Sequence, residues 1–297
     1  MIIFFGKHEI INQWREVIGD DTRFAFCESY QQLSHFKPKS SVVVYVRIPN
    51  KASLRIALKL KLKGYKVAKF WAGTDSRYFN DARGIEKFYS KIIYKLCINK
   101  NLSPAPWLSQ VLENNGLKTQ YWQSCSPIFL LEEQLSSNNI PTSESKPIQK
   151  VLVYSNPDRH WIYNTDRMLA LSKKLPHINF IFVGDNTIKT DSYPNVTSLG
   201  RIDQNRLFSL FKECDVLLRI TSHDGFSRMA IEAMYFGMQV ITNWPVPYTI
   251  ECHTDIAIEE ALQQPVTFNL EGYNYIRREF NVKNWKETLL SVFEQKK

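Results

Sequence analysis

The sequence lacks long apolar segments and paired cysteines. No stretch of about 18 consecutive apolar residues occurs, so we expect no transmembrane helix. The opening MIIFFGKHE has no basic segment before its apolar run and predicts a first strand rather than a signal peptide. The scattered cysteines, none of them in a CxxC pair, are Cys27, Cys97, Cys125, Cys214 and Cys252. We therefore expect reduced thiols in a cytoplasmic protein, without disulfides or structural zinc.

Three ligand-binding motifs are also missing. No GxGxxG follows a candidate strand, which argues against a dinucleotide-dependent dehydrogenase. No GxxxxGKS/T occurs, which argues against a P-loop NTPase. No DxD occurs, although two close carboxylates are what a metal-dependent transferase would use to hold Mg²⁺ or Mn²⁺. We therefore expect neither a bound metal nor a resident cofactor.

Positive charge is concentrated in the first half of the chain. Residues 1–148 carry 21 Lys and Arg against 12 Asp and Glu, whereas residues 149–297 carry 17 of each. Residues 51–100 alone hold 13 basic and 3 acidic side chains. This asymmetry indicates an anionic partner for one half, such as a membrane surface or an acidic substrate; the alternative is a solvated basic face. No basic–aromatic motif of the known nucleic-acid-binding modules occurs, so we expect no nucleic-acid partner.

Two predicted helices within residues 51–100 carry basic residues at every fourth position. These residues are Arg55, Lys59 and Lys63 in the first helix, and Lys87, Lys91 and Lys95 in the second. A spacing of four places side chains on one face of a helix. Such ridges suit contact with anionic lipid headgroups at the inner face of a membrane. The alternative is that the lysines only keep the helices soluble.

Short apolar runs alternate with amphipathic stretches in both halves of the chain. The predicted strands are IIFF, RFAFCE, SVVVYVRI, KVAKFWAG and LCINK in the first half, and VLVYS, NFIFVG, NVTSLG, DVLLRI and QVIT in the second. Between them lies a polar segment rich in Ser, Asn and Pro, residues 132–150. Strands without polar alternation, separated by helices, indicate parallel sheets covered on both faces.

We therefore predict an α/β protein made of two doubly wound, Rossmann-like domains that face a central cleft. The predicted boundaries are residues 1–134 for an N-terminal domain, 135–149 for a linker and 150–297 for a C-terminal domain. The last segment, NVKNWKETLLSVFEQ, predicts an amphipathic helix that is a candidate for packing back on the N-terminal domain.

The most unusual composition lies in SHDGFSRMAIEAMYFGMQVIT, residues 222–242. Glu232 lies among small and apolar neighbours there, and an unpaired buried carboxylate costs several kcal/mol. A carboxylate only accepts hydrogen bonds, which suits two ribose hydroxyls; the alternative partner is a nearby arginine. The helix is predicted to begin near Phe226, with Gly225 allowing close approach and Ser227 capping it. Its first amides predict a phosphate site.

The stretch from NVTSLGRIDQ to GMQVIT resembles the nucleotide-sugar-binding domain of GT-B glycosyltransferases of the family 4 type. The resemblance covers residues 151 to 245 approximately, and it places the family's E-x7-E motif on Asp224 and Glu232, with aspartate replacing the first glutamate. In the first half the resemblance is architectural, supported by WAGTD and by NLSPAPWLSQVLENNGLK.

The resemblance implies a hexosyltransferase that moves a sugar from a nucleotide sugar to a hydroxyl of a glycan or lipid-linked acceptor. It further implies retention of configuration, independence of metal and a place in bacterial cell-envelope polysaccharide synthesis. By resemblance, Glu232 binds the donor's ribose and Asp224 lies near the transferred sugar. The amides of Gly225, Phe226 and Ser227 cradle the diphosphate.

The family's arginine and lysine, five residues apart, would fall on Arg159 and Asn164, so one cation at the diphosphate is lost. Arg228, expected one turn into the motif helix, and Arg219, at the end of the preceding strand, are the candidates to replace it. The alternative for Arg228 is a solvated helix residue.

The remaining candidate residues lie at predicted strand ends. Asp75, in WAGTD, either faces the acceptor, where it would serve as a base in an inverting route, or caps the next helix. Gly184 in VGDN and Arg201 in LGRI lie in loops expected to contact the nucleotide base. For His160, Trp161 and Tyr163, aromatic packing is expected.

Two other functions are compatible with this architecture. A UDP-sugar 2-epimerase would need several acid/base side chains in the cleft, and the first domain offers few. A catalytically silent partner subunit or a carbohydrate-binding protein stays open because of Asp224 and Asn164.

Overall fold

A computed structural model describes residues 1–6, 8–47, 50–123 and 144–294. These residues belong to two compact units, the first within Met1–Leu135 and Glu279–Lys297, the second within Ser136–Arg278. The predicted linker, 135–149, lies outside the described residues as far as residue 143. Beyond it, Lys146 forms an antiparallel bridge with Val266 in the second unit.

The first unit contains a parallel sheet with the strand order β2-β1-β3-β4-β5-β6. Its strands are β1 (Ile2–Phe5), β2 (Phe24–Cys27), β3 (Val42–Val46), β4 (Lys66–Phe70), β5 (Lys100–Ser103) and β6 (Thr119–Tyr121). Helices flank them: α1 (Glu9–Ile18), α2 (Tyr30–Leu33), α3 (Lys51–Leu62), α4 (Thr74–Asp81), α5 (Gly84–Cys97) and α6 (Pro106–Asn114). The apolar runs IIFF and VVVYV are almost wholly buried, as strands covered on both faces require.

The second unit repeats this architecture with the order β12-β11-β10-β7-β8-β9, again parallel throughout. Its strands are β7 (Lys150–Tyr154), β8 (Asn179–Val183), β9 (Val196–Ser198), β10 (Val216–Arg219), β11 (Gln239–Thr242) and β12 (Ile250–Glu251). Its helices are α7 (His160–Tyr163), α8 (Thr165–Lys174), α9 (Gln204–Glu213), α10 (Arg228–Tyr235), α11 (Asp255–Gln263) and α12 (Leu270–Glu279). The prediction of two doubly wound α/β sheets is confirmed.

The last helix, α13 (Val282–Glu294), packs within the first unit. Trp285 stacks on Trp122 with ring centroids 5.3 Å apart. Trp122 also packs edge-on against Trp14 of α1, at 5.1 Å. Lys286 donates to the carbonyl of Ile18 at 2.8 Å. Buried aromatic side chains contribute the largest apolar areas. This cluster therefore holds α13 against the first sheet.

The strand order reverses once in each sheet, between β1 and β3 in the first and between β7 and β10 in the second. Ligands of open α/β sheets bind beyond the carboxyl ends of the strands at such a reversal. The two reversal points are therefore the places to look for sites. None of the helices in the described part of the chain combines the length and apolar character needed to cross a bilayer.

Candidate functional site

At the reversal point of the second sheet, β10 ends in an ion pair whose side chains are mostly shielded from solvent. Arg219 Nε donates to Asp224 Oδ2 at 2.7 Å, and the two side chains are 11% and 15% exposed. Burial opposes the Arg219 cation, but Asp224 outweighs this effect and raises the pKa of the guanidinium. The two residues therefore neutralise each other and hold the loop after β10.

A second cation, Arg159, lies near this pair, because Arg159 and Arg219 both act on the hydroxyl of Tyr163. The Arg219 guanidinium sits over the ring of Tyr163, 5.6 Å from its centroid. Burial raises the pKa of Tyr163, and the positive charges of Arg219 and Arg159 oppose that rise. Arg159 is exposed at the end of a 3₁₀ turn that follows β7, Pro157–Arg159. Of the two arginines, Arg159 is the one whose guanidinium a ligand can reach from solvent.

Asn164, aligned with the family's lysine, joins α7 to α8 in a left-handed conformation with φ of 49°. Asparagine tolerates this conformation better than most residues because its short amide forms local hydrogen bonds. Its Nδ2 donates to the carbonyl of Ile220 at 3.2 Å. Asn164 therefore fixes the start of α8 to the end of β10, and it supplies no cation.

Helix α10 begins at Arg228, slightly later than the predicted start near Phe226. Ser227 caps it by accepting a hydrogen bond from the amide of Ala230 at 3.2 Å. Arg228 is consequently the first residue of the helix, not one turn inside it as predicted. The helix ends at Tyr235, and Gly237 follows its cap with a φ of 74°; a Cβ there would lie 1.9 Å from the Phe268 ring.

Glu232 is 3% exposed, in a helix whose residues 230–235 are all buried. Arg228 Nε lies 3.4 Å from Glu232 Oε1, and the arginine side chain is 46% exposed. A nearby arginine, one of the two partners expected from the sequence, is therefore present in this structure. A long contact from a half-exposed side chain is a weak ion pair, so a ligand can displace it.

Asp185, which the sequence reasoning missed, organises the loops after β7 and β8. Its fully buried carboxylate accepts hydrogen bonds from the amide and the hydroxyl of Thr187, at 2.7 Å each. It also accepts a hydrogen bond from Ser155 Oγ at 2.9 Å and forms one with His160 Nε2. Burial opposes ionisation, but the bonds from Thr187, His160 and Ser155 outweigh it and lower the pKa of Asp185 to about 2. His160 is thus oriented by a carboxylate, whereas Tyr163 does pack against the ring of Tyr154 at 4.8 Å. The available signal was an aspartate directly after a strand, in NFIFVGD.

The loops VGDN and LGRI lie against each other. The Gly184 amide donates to the Gly200 carbonyl at 2.6 Å, and the Arg201 amide donates to Asn186 Oδ1 at 2.8 Å. Gly184 has a φ of +92°, and a Cβ there would lie 2.5 Å from the Ser155 carbonyl oxygen. Only glycine fits such a position. These contacts bring Gly184 and Arg201 together at one edge of the second sheet.

The first unit has a cavity of about 530 Å³ beside the reversal point of its sheet, where β1, β2 and β3 end. Its polar lining comes from His8, Glu28, Ser29, Tyr30, Tyr45 and Arg47. His8 caps α1 by accepting from the Ile10 amide at 3.2 Å. Burial lowers the pKa of His8 although Asp75 opposes this shift, so the neutral imidazole is favoured.

Asp75 does not cap α4, because Gly73 precedes the helix and no side chain caps it. Its carboxylate is 5% exposed and accepts from the fully buried Lys69 Nζ at 2.7 Å. Lys69 also donates to the Arg47 carbonyl at 2.7 Å. Burial raises the pKa of Asp75 and lowers the pKa of Lys69, and each partner opposes the other's shift. The Asp75 carboxylate is thus enclosed, with its Oδ2 held by Lys69.

No three His, Cys, Asp or Glu side chains within the described ranges lie together as a metal site would require. The residues that were predicted to bind the nucleotide-sugar donor lie at the carboxyl edge of the second sheet, around β7, β8 and β10. Asp75 belongs to the first unit.

The sequence matches no family model and no curated protein. Its structure resembles HepE of Anabaena, solved with UDP and glucose, at a TM-score of 0.67 and 12% identity over 99% of each chain. It resembles TarM of S. aureus, solved with UDP and alpha-GlcNAc-glycerol, at 0.64 and 14% identity; the match covers 90% of this chain but only 58% of TarM. It also resembles sucrose-phosphate synthase of Thermosynechococcus elongatus, at 0.62 and 16% identity over 89% of this chain and 76% of that one. At these identities the likeness concerns architecture, and the chain has the GT-B fold.

Proposed function

We propose that this protein is a glycosyltransferase that moves a hexose from a nucleotide sugar to a hydroxyl of a glycan or lipid-linked acceptor. The observation that carries the proposal is the buried carboxylate of Glu232 in α10, which has a half-exposed arginine as an ion-pair partner and lies in a helix whose capped start follows β10. The resemblance in fold to HepE, solved with UDP and glucose, supports a nucleotide-sugar donor.

Donor binding is proposed to use α10 at two places. The carboxylate of Glu232 accepts hydrogen bonds from the ribose hydroxyls, and Arg228 moves away to solvent. The amides of Gly225, Phe226 and Ser227 contact the diphosphate, because backbone N–H groups and the helix dipole at a helix start both favour an anion. Gly184 and Arg201 contact the base from their joined loops.

Charge on the departing diphosphate is proposed to be stabilised by Arg159. Negative charge develops on the leaving oxygen as the glycosidic bond to phosphate breaks, and positioned donors lower that barrier. Arg159 is exposed, whereas Arg219 is committed to Asp224. We assign Arg219 and Asp224 the positioning of the loop that leads to Ser227. Retention and independence of metal are part of this proposal, as is a role in cell-envelope polysaccharide synthesis.

The acceptor is proposed to bind the cavity of the first unit. Sugar rings offer hydroxyls to groups such as Glu28 and His8, and apolar faces to rings such as Tyr30. The cavity's volume of about 530 Å³ lies within the range of small-molecule sites.

A silent partner subunit is the second candidate. It is favoured by Asn164, which replaces a cation with a structural amide, and by Asp224, whose carboxylate is occupied by Arg219.

A panel of nucleotide sugars with and without sugar acceptors separates these functions. We expect release of nucleotide that depends on both the donor and the acceptor. Conversion of the donor to an isomer would indicate an epimerase instead. Nucleotide binding without release or isomerisation across the panel would indicate a silent subunit.

A further inference from the structure

Helix α5 presents a continuous apolar row to solvent. The row consists of Ile85 (76% exposed), Phe88 (62%), Tyr89 (57%), Ile92 (36%) and Leu96 (69%). The spacings of three and four residues place them on one face of the helix. We call them the α5 row.

The α5 row is not needed for the core of its own unit. The opposite face of the helix already buries Ser90, Tyr94 and Cys97. Single exposed apolar residues are ordinary, but a contiguous exposed patch marks an interaction surface. Phe88 and Tyr89 lie edge-to-face, 6.2 Å apart, so the aromatic centre of the row is contiguous.

Cations lie on α5 and on the neighbouring helix α3. Helix α3 packs against α5, and its outer face adds the exposed Leu58 and Leu62. Cations on the two helices include Arg55, Lys59, Lys61, Lys87, Lys91 and Lys95. No carboxylate of the described residues forms an ion pair with any of these six. Their charge is therefore not neutralised within the unit.

We infer that the α5 row and the cations of α3 and α5 bind the surface of a lipid bilayer that carries anionic headgroups. Apolar and aromatic side chains enter the boundary between headgroups and acyl chains, while neighbouring lysines contact phosphate. An acidic soluble partner would be attracted by the cations but would leave the exposed phenylalanine and leucine side chains unexplained. This inference does not depend on the proposed function, because its test measures binding alone.

The test is co-sedimentation of the full chain with phosphatidylcholine vesicles, with and without phosphatidylglycerol, at low and high salt. We expect binding only to the anionic vesicles, weakened by salt. Each basic residue close to such a surface contributes about fivefold to the partition coefficient. Replacing Arg55, Lys91 and Lys95 by Gln should therefore reduce the partition coefficient about 100-fold.

The apolar contribution is tested by Phe88→Ser with Leu96→Ser, for which we expect a loss of about tenfold. Two matched controls lie in the second unit. Ile256→Ser with Leu270→Ser removes apolar side chains that are 70% and 46% exposed. Gln at the exposed Lys173, Lys189 and Lys212 removes the same amount of charge. Both controls should bind as the parent does.

Equal binding to neutral and anionic vesicles, or binding to neither, would overturn the inference. So would an equal loss in the control variants. Capture by a soluble polyanion such as heparin, without binding to anionic vesicles, would assign the surface to an acidic polymer.

Discussion

The two sheets share a parallel, doubly wound architecture but differ in how far the ion pairs near the carboxyl ends of their strands are buried. In the first unit, Lys69 and Asp75 are 0% and 5% exposed and lie against backbone and aromatic rings. In the second unit, Arg219 and Asp224 are 11% and 15% exposed, with Arg159 exposed beside them. A buried carboxylate near a strand end is therefore not by itself a catalytic group. What matters is whether a ligand can reach the charges.

The same contrast applies to the glutamate in α10. Glu232 is as buried as Asp75, but its arginine partner is half-exposed and 3.4 Å away, whereas Lys69 is enclosed at 2.7 Å. We therefore assign a structural role to Asp75 and a ligand-binding role to Glu232.

The largest effect on stability is expected from disrupting the buried ion pair of Lys69 and Asp75. Lys69→Met leaves a buried carboxylate unpaired and should lower the free energy of unfolding by about 3–5 kcal/mol, measured by urea denaturation. The double change Lys69→Met with Asp75→Leu should recover most of that loss. Arg219→Met should cost less, because water reaches Asp224. Equal losses in the free energy of unfolding for Lys69→Met and Arg219→Met would contradict the difference in burial between the two ion pairs.

The next effect concerns nucleotide affinity. Glu232→Ala removes a charged acceptor for two hydroxyls, worth about 1.5–3 kcal/mol, and should weaken binding of the donor nucleotide about 10- to 150-fold in calorimetry. The matched control is Glu260→Ala, on the exposed side of α11, which should bind as the parent does. A folded Glu232→Ala variant with parental affinity would show that the ribose is bound elsewhere.

A pH dependence follows from Asp185. Its pKa is lowered to about 2 from an ordinary 3.8, so its contribution to stability is present above pH 3.8 and is lost as the pH falls towards 2. The contribution at neutral pH is about 2 kcal/mol. The difference in stability between the parent and Asp185→Asn should shrink by about that amount between pH 4 and pH 2. A difference that stays constant over this range would mean that Asp185 is not selectively stabilised as the anion.

The smallest effect is expected at Arg159. Because its proposed role is to stabilise charge that grows as the donor bond breaks, Arg159→Ala should lower turnover by about tenfold and donor affinity by less. Arg159→Lys should retain part of the rate. Arg206→Ala, another exposed arginine in the second unit, serves as the control. Weaker donor binding at an unchanged rate would restrict Arg159 to binding.

The sequence predicted most strands of the two sheets, because strands buried on both faces appear as apolar runs such as VVVYV. The predicted strand LCINK was misplaced, since Leu96 and Cys97 end α5 and β5 begins at Lys100. The sequence also predicted the cap at Ser227 and the burial of Glu232, since both follow from local pattern. It missed the helices α4, α11 and α12, and it missed the edge strands β6 and β12, which are too short to form an apolar run. The bonds of Asp185 to His160 and of Lys69 to Asp75 could not be predicted, because partners 25 and 6 residues apart meet only through the sheet and its loops.

We propose that the second unit binds the donor nucleotide through the start of α10. Amide hydrogen exchange of the full chain, with and without saturating UDP or the best-binding nucleoside diphosphate of a panel, tests it most directly. We expect slower exchange at residues 225–232 and in the loops around Gly184 and Arg201, with no change around the cavity of the first unit. Protection confined to the first unit, or unchanged exchange throughout the second unit at saturation, would contradict it.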